Sequence, residues 1–491
     1  MARASTVDTT EGSLVGRSVQ LAWPAVLQAL LVNFYAFNDF VFVGLLGDAA
    51  ATAALSACFA LLILHFTFIK VFPTGATALI AQAFGARRPE RIGALYRSSV
   101  SATMVLSVVV ALVGVLVMPW FVSLANVTPE VGEHVADYLS IIYWSTPTFA
   151  LMLVIVGAFR AVGDTRTPLY LEIGSLLVNV VLNYVLVLGV GPVPSMGIKG
   201  AALATAISRA LPGMVGFWLI LRGHLGFDPR AGTRGVKGWW PERALTREMA
   251  HIGIFEALSG LIYGGVYLML NRMAGELGPA AQGGLGAGLR GIEWIGFAFG
   301  SGFLTASVSI VGQNVGAGKA DRAMGGAWIS AGLSALCCQA VGLLFILFPE
   351  ELCRMVTDDY DTLSYAMSYV YYVGWVMWAV GFEMSMFGAL VGAGRSRTAL
   401  LVSGGYNLLR IPVAAGLLFG WASMGDGVRW VLLGQGEAPP VSGPFAALVW
   451  TIGLTSVLKA LTYAILLSSR WRRLRRSTVR TRAYGARSVR M

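Results

Sequence analysis

Apolar segments separated by short polar clusters run along almost the whole chain. Most of them have about 20 residues or more, which is the length that an α-helix needs to cross a bilayer. Clusters of Gly, Pro and charged residues bound these segments and predict an all-α polytopic membrane protein. The twelve predicted transmembrane helices lie near residues 18–45, 51–83, 92–117, 131–161, 168–189, 198–222, 248–276, 280–313, 323–348, 361–392, 399–421 and 444–469.

The composition agrees with this pattern. Hydrophobic residues make up 56% of the chain, charged residues only 12%, and the mean hydropathy is +0.70. The formal charge of +11 does not indicate nucleic acid binding, because nine basic residues lie in the segment Arg470–Arg490, directly after an apolar span, where anionic lipid attracts them. The four cysteines form no CxxC pair, so we expect no structural metal and no cofactor.

The distribution of basic residues predicts the orientation of the chain. Alternate loops on one side, together with both termini, hold 27 of the 36 Lys and Arg residues, whereas the loops on the other side hold Arg354 and Arg429. Basic residues concentrate on the cytoplasmic side of membrane proteins. We therefore expect a cytoplasmic N-terminal tail at 1–17 and a basic cytoplasmic tail at 470–491.

Two sequence blocks repeat at one offset. QAFGARRPER at 82–91 returns as QNVGAGKADR at 313–322, and GAFRAVGDTRT at 157–167 returns as GALVGAGRSRT at 388–398, both 231 residues later. Because each half has six predicted helices, the halves enter the membrane in the same direction and form parallel repeats. The predicted lobes are 18–222 and 248–469, joined by a cytoplasmic linker at 223–247, and residues 422–443 are an outer-loop insertion without an assigned role.

Asp39 is a carboxylate well inside the first apolar span. An ionised Asp in hydrocarbon costs about 2.5–3.5 kcal/mol or more, so such residues are usually paired, hydrated or functional. Counting residues from the outer helix ends places Tyr35, Asn179, Asn183 and Thr205 at a similar depth, and we expect them to form one network around Asp39. The alternative is that Asp39 only locks the helices together.

The repeat favours a specialised role for this set. At the offset of 231, the positions that match Tyr35, Asp39 and Asn183 are Val266, Leu270 and Ala414. If these polar residues had only a structural role, we would expect both halves to keep them.

The chain resembles the multidrug and toxic compound extrusion (MATE) transporters, in particular the prokaryotic DNA-damage-inducible type. The resemblance extends from about residue 18 to about residue 468. The segments that carry it are NDFVFVGLLGD at 38–48, TALIAQAFGARRPER at 77–91, RAVGDTRTPLYLEIGSLLVNVVLNYVLVLG at 160–189, GIKGAALATAISR at 197–209 and IVGQNVGAGKADRA at 310–323.

The resemblance implies a V-shaped pair of six-helix lobes in a prokaryotic plasma membrane. It also implies export of organic cations or other amphiphiles in exchange for protons or sodium. In this type the residue that matches Asp39 is held to be the proton site, with partners matching Tyr35, Asn179 and Thr205. Asn183 departs from the pattern, since some relatives carry Asp there, and Pro24 matches a proline about which the first helix is proposed to bend.

Further charged residues lie within second-half helices. Glu256, Arg290, Glu293 and Glu383 are candidates for lining a substrate cleft, and the alternative is structural ion pairing. Arg290 and Glu293 have the i,i+3 spacing of an internal pair.

These observations together predict a monomeric secondary antiporter that exchanges protons for cationic or amphiphilic small molecules by alternating access. Sodium coupling remains an alternative. A second alternative is a flippase for lipid-linked precursors, which would use cationic side chains to hold a pyrophosphate. The residues available for that role are Lys70, Arg209, Arg290, Arg410 and Lys459. We expect no enzymatic activity, because no nucleophile or metal constellation is evident.

Overall fold

Helices account for nearly all of the regular structure in the computed structural model, which describes residues 6–124, 127–230, 236–419 and 443–487. A single 3₁₀ turn covers Val236–Trp239 and a π-helical turn covers Ala287–Ile292. The α-helices of these ranges are α1 Leu14–Gly44, α2 Ala49–Ile69, α3 Val71–Gly85, α4 Pro89–Leu124, α5 Pro129–Trp144, α6 Thr146–Ala161, α7 Arg166–Leu188, α8 Gly197–Leu221, α9 Arg243–Gly275, α10 Pro279–Gly286, α11 Glu293–Gly316, α12 Ala320–Leu347, α13 Pro349–Arg354, α14 Tyr360–Gly374, α15 Met377–Gly392, α16 Ser396–Phe419 and α17 Pro444–Arg487.

The helices confirm the predicted fold class. Within the described ranges, 10 helical segments are long and apolar enough to cross a membrane, and two bent pairs raise the number of possible spans to 12. The last helix continues through most of the predicted basic tail, as far as Arg487. The predicted insertion at 422–443 falls almost wholly outside the described residues.

Two of the predicted spans are broken rather than straight. The axes of α5 and α6 differ by 51°, and those of α14 and α15 differ by 62°. The breaks occur at equivalent places, because α14 and α15 start 231 residues after α5 and α6. In the first half Pro147 lies in the first turn of α6, where its missing N–H and its ring prevent α5 from continuing as one helix. The second half bends without a proline, after Gly374.

The chain forms two compact units. Unit 1 comprises residues up to Glu11, Leu27–Ala257 and Gly312–Ala317, and unit 2 comprises Gly12–Val26, Leu258–Val311 and the chain from Gly318 onward. The division therefore falls inside α1 and α9, and Val26 and Ala257 are equivalent positions of the repeat. The predicted lobes were instead two continuous stretches of the chain, 18–222 and 248–469, separated by the linker at 223–247.

Close packing of α8 on α7 positions the polar residues of unit 1. A Cβ atom at Gly200 of α8 would lie 2.5 Å from the carbonyl oxygen of Leu186 in α7, so no side chain larger than hydrogen fits there. Around this contact, Val43, Val187 and Ala201 are fully buried in an apolar core that also includes residues of α2 and α5. Side chains that face α1 from α5, α7 and α8 are thereby brought to the same place.

We expect Gly200→Ala to destabilise the protein by about 1–3 kcal/mol, because the new methyl group forces α8 away from α7. The midpoint of thermal unfolding in detergent should fall accordingly. Gly174→Ala is the matched control, since a Cβ atom at this glycine of α7 meets no atom within 4 Å. Equal unfolding temperatures for the two variants would contradict this view of the α7–α8 contact.

Candidate functional site

Asp39 lies buried in unit 1 with hydrogen-bond donors from three other helices. Its side chain is 3% exposed. Asn183 of α7 donates from Nδ2 to Oδ1 at 2.8 Å, and the Thr205 hydroxyl of α8 lies 3.0 Å from Oδ2. Tyr138 of α5 donates its phenolic hydrogen to Oδ2 at 3.1 Å. All three groups are uncharged donors that favour an ionised carboxylate.

A second layer orients one of these donors. Asn38 donates to Asn179 Oδ1 at 2.9 Å, and Asn179 donates from Nδ2 to the Thr205 hydroxyl at 3.2 Å. Because Thr205 accepts from Asn179, its own hydrogen is available for Asp39. Asn179 therefore supports the carboxylate through Thr205 rather than by direct contact.

Tyr35 does not contact Asp39, although the i,i+4 spacing predicted a shared network. Its hydroxyl donates to Ser175 Oγ at 2.7 Å, and its ring lies 4.2 Å from the guanidinium carbon of Arg209. Side chains of a helix lean toward its N-terminus, so the long tyrosine carries its hydroxyl a turn away from Asp39. Arg209 is nevertheless close enough to act electrostatically on Asp39.

Two residues near this site were not predicted from the sequence. Tyr138 lies on a helix that depth counting did not include, although its match at the offset of 231, Tyr369, was a usable signal. Glu172 of α7 is 1% exposed, and its Oε2 atom lies 3.5 Å from Gln28 Nε2 of α1. Gln28 in turn accepts from Arg160 of α6 at 2.6 Å.

Unit 2 has a polar cluster of different character at the equivalent helices. Arg410 occupies the position that matches Asn179 and is 2% exposed. Its guanidinium donates to Thr455 at 2.7 Å, to Ser456 at 3.0 Å and to Tyr267 at 3.3 Å. The second half therefore carries a buried cation where the first half carries an amide.

The buried carboxylates of unit 2 have their own partners. Tyr369, the match of Tyr138, donates its hydroxyl to Glu293, and Lys459 donates to Glu383 at 2.8 Å. Glu293 thus accepts from Tyr369 and not from Arg290, the predicted ion-pair partner. Arg290 lies in the π-helical turn with an exposed side chain, and a π turn changes the angular spacing on which the i,i+3 expectation rested.

The remaining predicted site residues lie elsewhere. Glu256 belongs to unit 1, where it accepts from Thr74 of α3 at 2.9 Å. Pro24 is buried in α1, two residues before the point at which the helix passes from unit 2 to unit 1. Within the described ranges, no group of three or more His, Cys, Asp or Glu side chains could hold a metal ion.

Comparison with known proteins agrees with the duplicated helical fold. The model of the MatE family matches residues 24–185 and again 257–415, which together are more than half of the chain. The chain belongs to the MatE family. Two matches with one model also confirm that the halves are repeats, and membership makes this chain a multi-pass membrane transporter.

Individual relatives of this MatE protein differ in the function that their names state. It is 26% identical to the "Probable multidrug resistance protein NorM" of Thermotoga maritima over 83% of this chain and 88% of the relative. It is 22% identical to the "FAD transporter" of Shewanella oneidensis over 85% and 90% of the two chains. A solved outward-facing multidrug resistance MATE family transporter has the same fold, with a TM-score of 0.81, 17% identity, and coverage of 97% of this chain and 100% of that one.

Removal of the Tyr138 hydroxyl should weaken the buried site measurably. A hydrogen bond to a charged group contributes about 1.5–3 kcal/mol, so we expect Tyr138→Phe to lower the unfolding free energy by that amount. In an Asp39→Asn background, the same change should cost clearly less. Thermal unfolding of the four proteins of this double-mutant cycle measures the coupling. Additive effects would show that Tyr138 does not stabilise the carboxylate.

Proposed function

We propose that this chain is an antiporter that exports organic cations or amphiphilic small molecules in exchange for protons. The observation that carries the proposal is Asp39, a buried carboxylate in contact with neutral donors only. Its direct hydrogen-bond donors carry no charge, so the site can take up and release a proton without breaking an ion pair. The multidrug resistance proteins among the relatives support the substrate class.

The exchange of substrate for protons depends on the two charge states of Asp39, ionised and protonated. With Asp39 ionised, the three donors of α5, α7 and α8 hold the carboxylate. Protonation removes the charge that these donors satisfy, so their arrangement with α1 loses stability. A substrate bound while Asp39 is ionised is then released, and loss of the proton on the opposite side restores the first arrangement. Pro24, which lacks a backbone N–H and so weakens α1, is the proposed point of bending.

The proposed orientation follows from the basic loops. If these are cytoplasmic, the Gly44 end of α1 faces outward, and Asp39 lies five residues from that end, about 8 Å. The protein would then reside in a prokaryotic plasma membrane, with both termini in the cytoplasm, and function as a monomer. External protons would reach Asp39 by a short path.

Protons suit the site better than sodium. A sodium ion takes oxygen ligands, yet Asn183 presents its Nδ2 atom, a hydrogen-bond donor, to Asp39. An Asp at this position, as the resemblance leads us to expect in some relatives, would supply a second carboxylate. Sodium coupling therefore remains the weaker alternative.

Three of the five cationic side chains considered for a lipid-linked precursor flippase already have partners. Lys459 is neutralised by Glu383, Arg410 donates to three neutral side chains, and the guanidinium of Arg209 covers Tyr35. A pyrophosphate needs cationic groups that are available to it. The FAD transporter among the relatives makes an anionic nucleotide a useful comparison substrate.

Transport into inverted vesicles tests the coupling role of Asp39. One pH unit can support about tenfold accumulation of a monovalent cation exchanged for one proton, a driving force of about 1.4 kcal/mol. We expect Asp39→Asn to lose ethidium accumulation driven by the pH gradient. Asp137→Asn is the matched control, because this carboxylate precedes Tyr138 but pairs with Lys199 in a partly exposed position. Wild-type accumulation by Asp39→Asn would end the proposal.

The choice of ion and the class of substrate can be tested separately. At equal pH on both sides, we expect a tenfold sodium gradient, also worth about 1.4 kcal/mol, to drive no ethidium accumulation. Asn183→Asp adds an oxygen ligand and should allow some response to sodium. Competition by excess ethidium, but not by FAD or a lipid-linked pyrophosphate, is expected for the wild-type protein. Transport driven by sodium in the wild-type protein would reverse the assignment of the ion.

A further inference from the structure

One face of α7 carries a continuous row of buried polar side chains. Glu172, Ser175, Asn179 and Asn183 follow one another at spacings of three or four residues, and each is at most 1% exposed. Side chains at these spacings lie on the same face of a helix. The row extends over eleven residues, about 16 Å, and thus crosses about half of a typical hydrocarbon core.

Groups from neighbouring helices fill the spaces along this row. Thr205 lies beside Asn179, and the Tyr35 hydroxyl joins Ser175 at 2.7 Å. Tyr35 is also within interaction distance of the Glu172 carboxylate. Hydroxyl groups therefore lie between the two buried carboxylates of this region, Asp39 beside Asn183 and Glu172 eleven residues earlier.

Glu172 is incompletely satisfied for a buried carboxylate. Its Oε2 atom accepts from Gln28 at 3.5 Å, and its Oε1 atom is buried without a hydrogen-bond partner among the described residues. The charged and titratable groups that face it are Tyr35 from α1, Arg160 from α6 and, through Tyr35, Arg209 from α8. One oxygen of the Glu172 carboxylate is therefore available for a further hydrogen bond.

We propose that Glu172 is the second carboxylate of the coupling pathway and receives the proton that Asp39 releases. The O–H bond of protonated Asp39 breaks, the proton passes by way of the hydroxyls of Thr205, Ser175 and Tyr35, and an O–H bond forms on Glu172. Asp39 returns to its ionised form, and Glu172 later gives the proton to solvent at the Arg166 end of α7. This inference rests on the proposed function, and it accounts for proton transfer in a chain that has Asn rather than Asp at position 183.

The test uses the full-length protein in proteoliposomes and compares two reactions of ethidium. Net export driven by a pH step requires the proton to cross the protein, whereas exchange of labelled for unlabelled ethidium at equal pH does not. We expect Glu172→Gln to slow net export at least about tenfold more than exchange. Glu172→Asp keeps the carboxylate and should recover most of the loss. A merely structural role would slow both reactions together.

A second position keeps the inference testable if Glu172→Gln folds poorly. Ser175→Ala interrupts the row of hydroxyls and should also slow net export selectively, whereas Ser175→Thr should not. If Glu172→Gln and Ser175→Ala leave the ratio of net export to exchange at the wild-type value, while Asp39→Asn abolishes net export, the relay is wrong and the proton-coupled antiport stands. Wild-type net export by Asp39→Asn would instead remove the proposed function on which the relay depends.

Discussion

The first half of this protein is organised around the cost of keeping one carboxylate away from water. Burial of an ionised Asp is unfavourable by several kcal/mol unless hydrogen bonds replace its hydration. Asp39 receives such bonds from Asn183, Thr205 and Tyr138, and each donor comes from a different helix. Asp39 thus connects α1 to α5, α7 and α8, and under the proposed function a change in its charge acts on all four helices.

The sequence was sufficient to predict the membrane spans and the duplication. Apolar length and basic loops are strong signals, because the bilayer imposes them on every helix. The sequence was less informative about direct contacts between side chains. Asn183 and Thr205 were placed correctly beside Asp39 by depth, but depth says nothing about the direction in which a side chain points. Tyr35 therefore failed as a direct partner, and Tyr138, which has the right direction, was missed.

Two further differences have local physical causes. The π-helical turn Ala287–Ile292 shifts the helical phase between Arg290 and Glu293, and a pattern that assumes 3.6 residues per turn cannot detect it. Glu172 was overlooked because it lies near the beginning of α7, where a carboxylate is usually taken as a solvated helix end. Its burial depends on Gln28 and Arg160 of other helices, and a single segment of sequence does not contain that information.

The two halves differ in charge at one equivalent position, because Arg410 of the second half matches Asn179 of the first half. In the second half a positive charge is covalently attached to the chain, at a position where the first half has only an amide. The second half keeps this charge for the lifetime of the molecule. In the first half, the charge at the equivalent helices depends instead on whether Asp39 carries a proton.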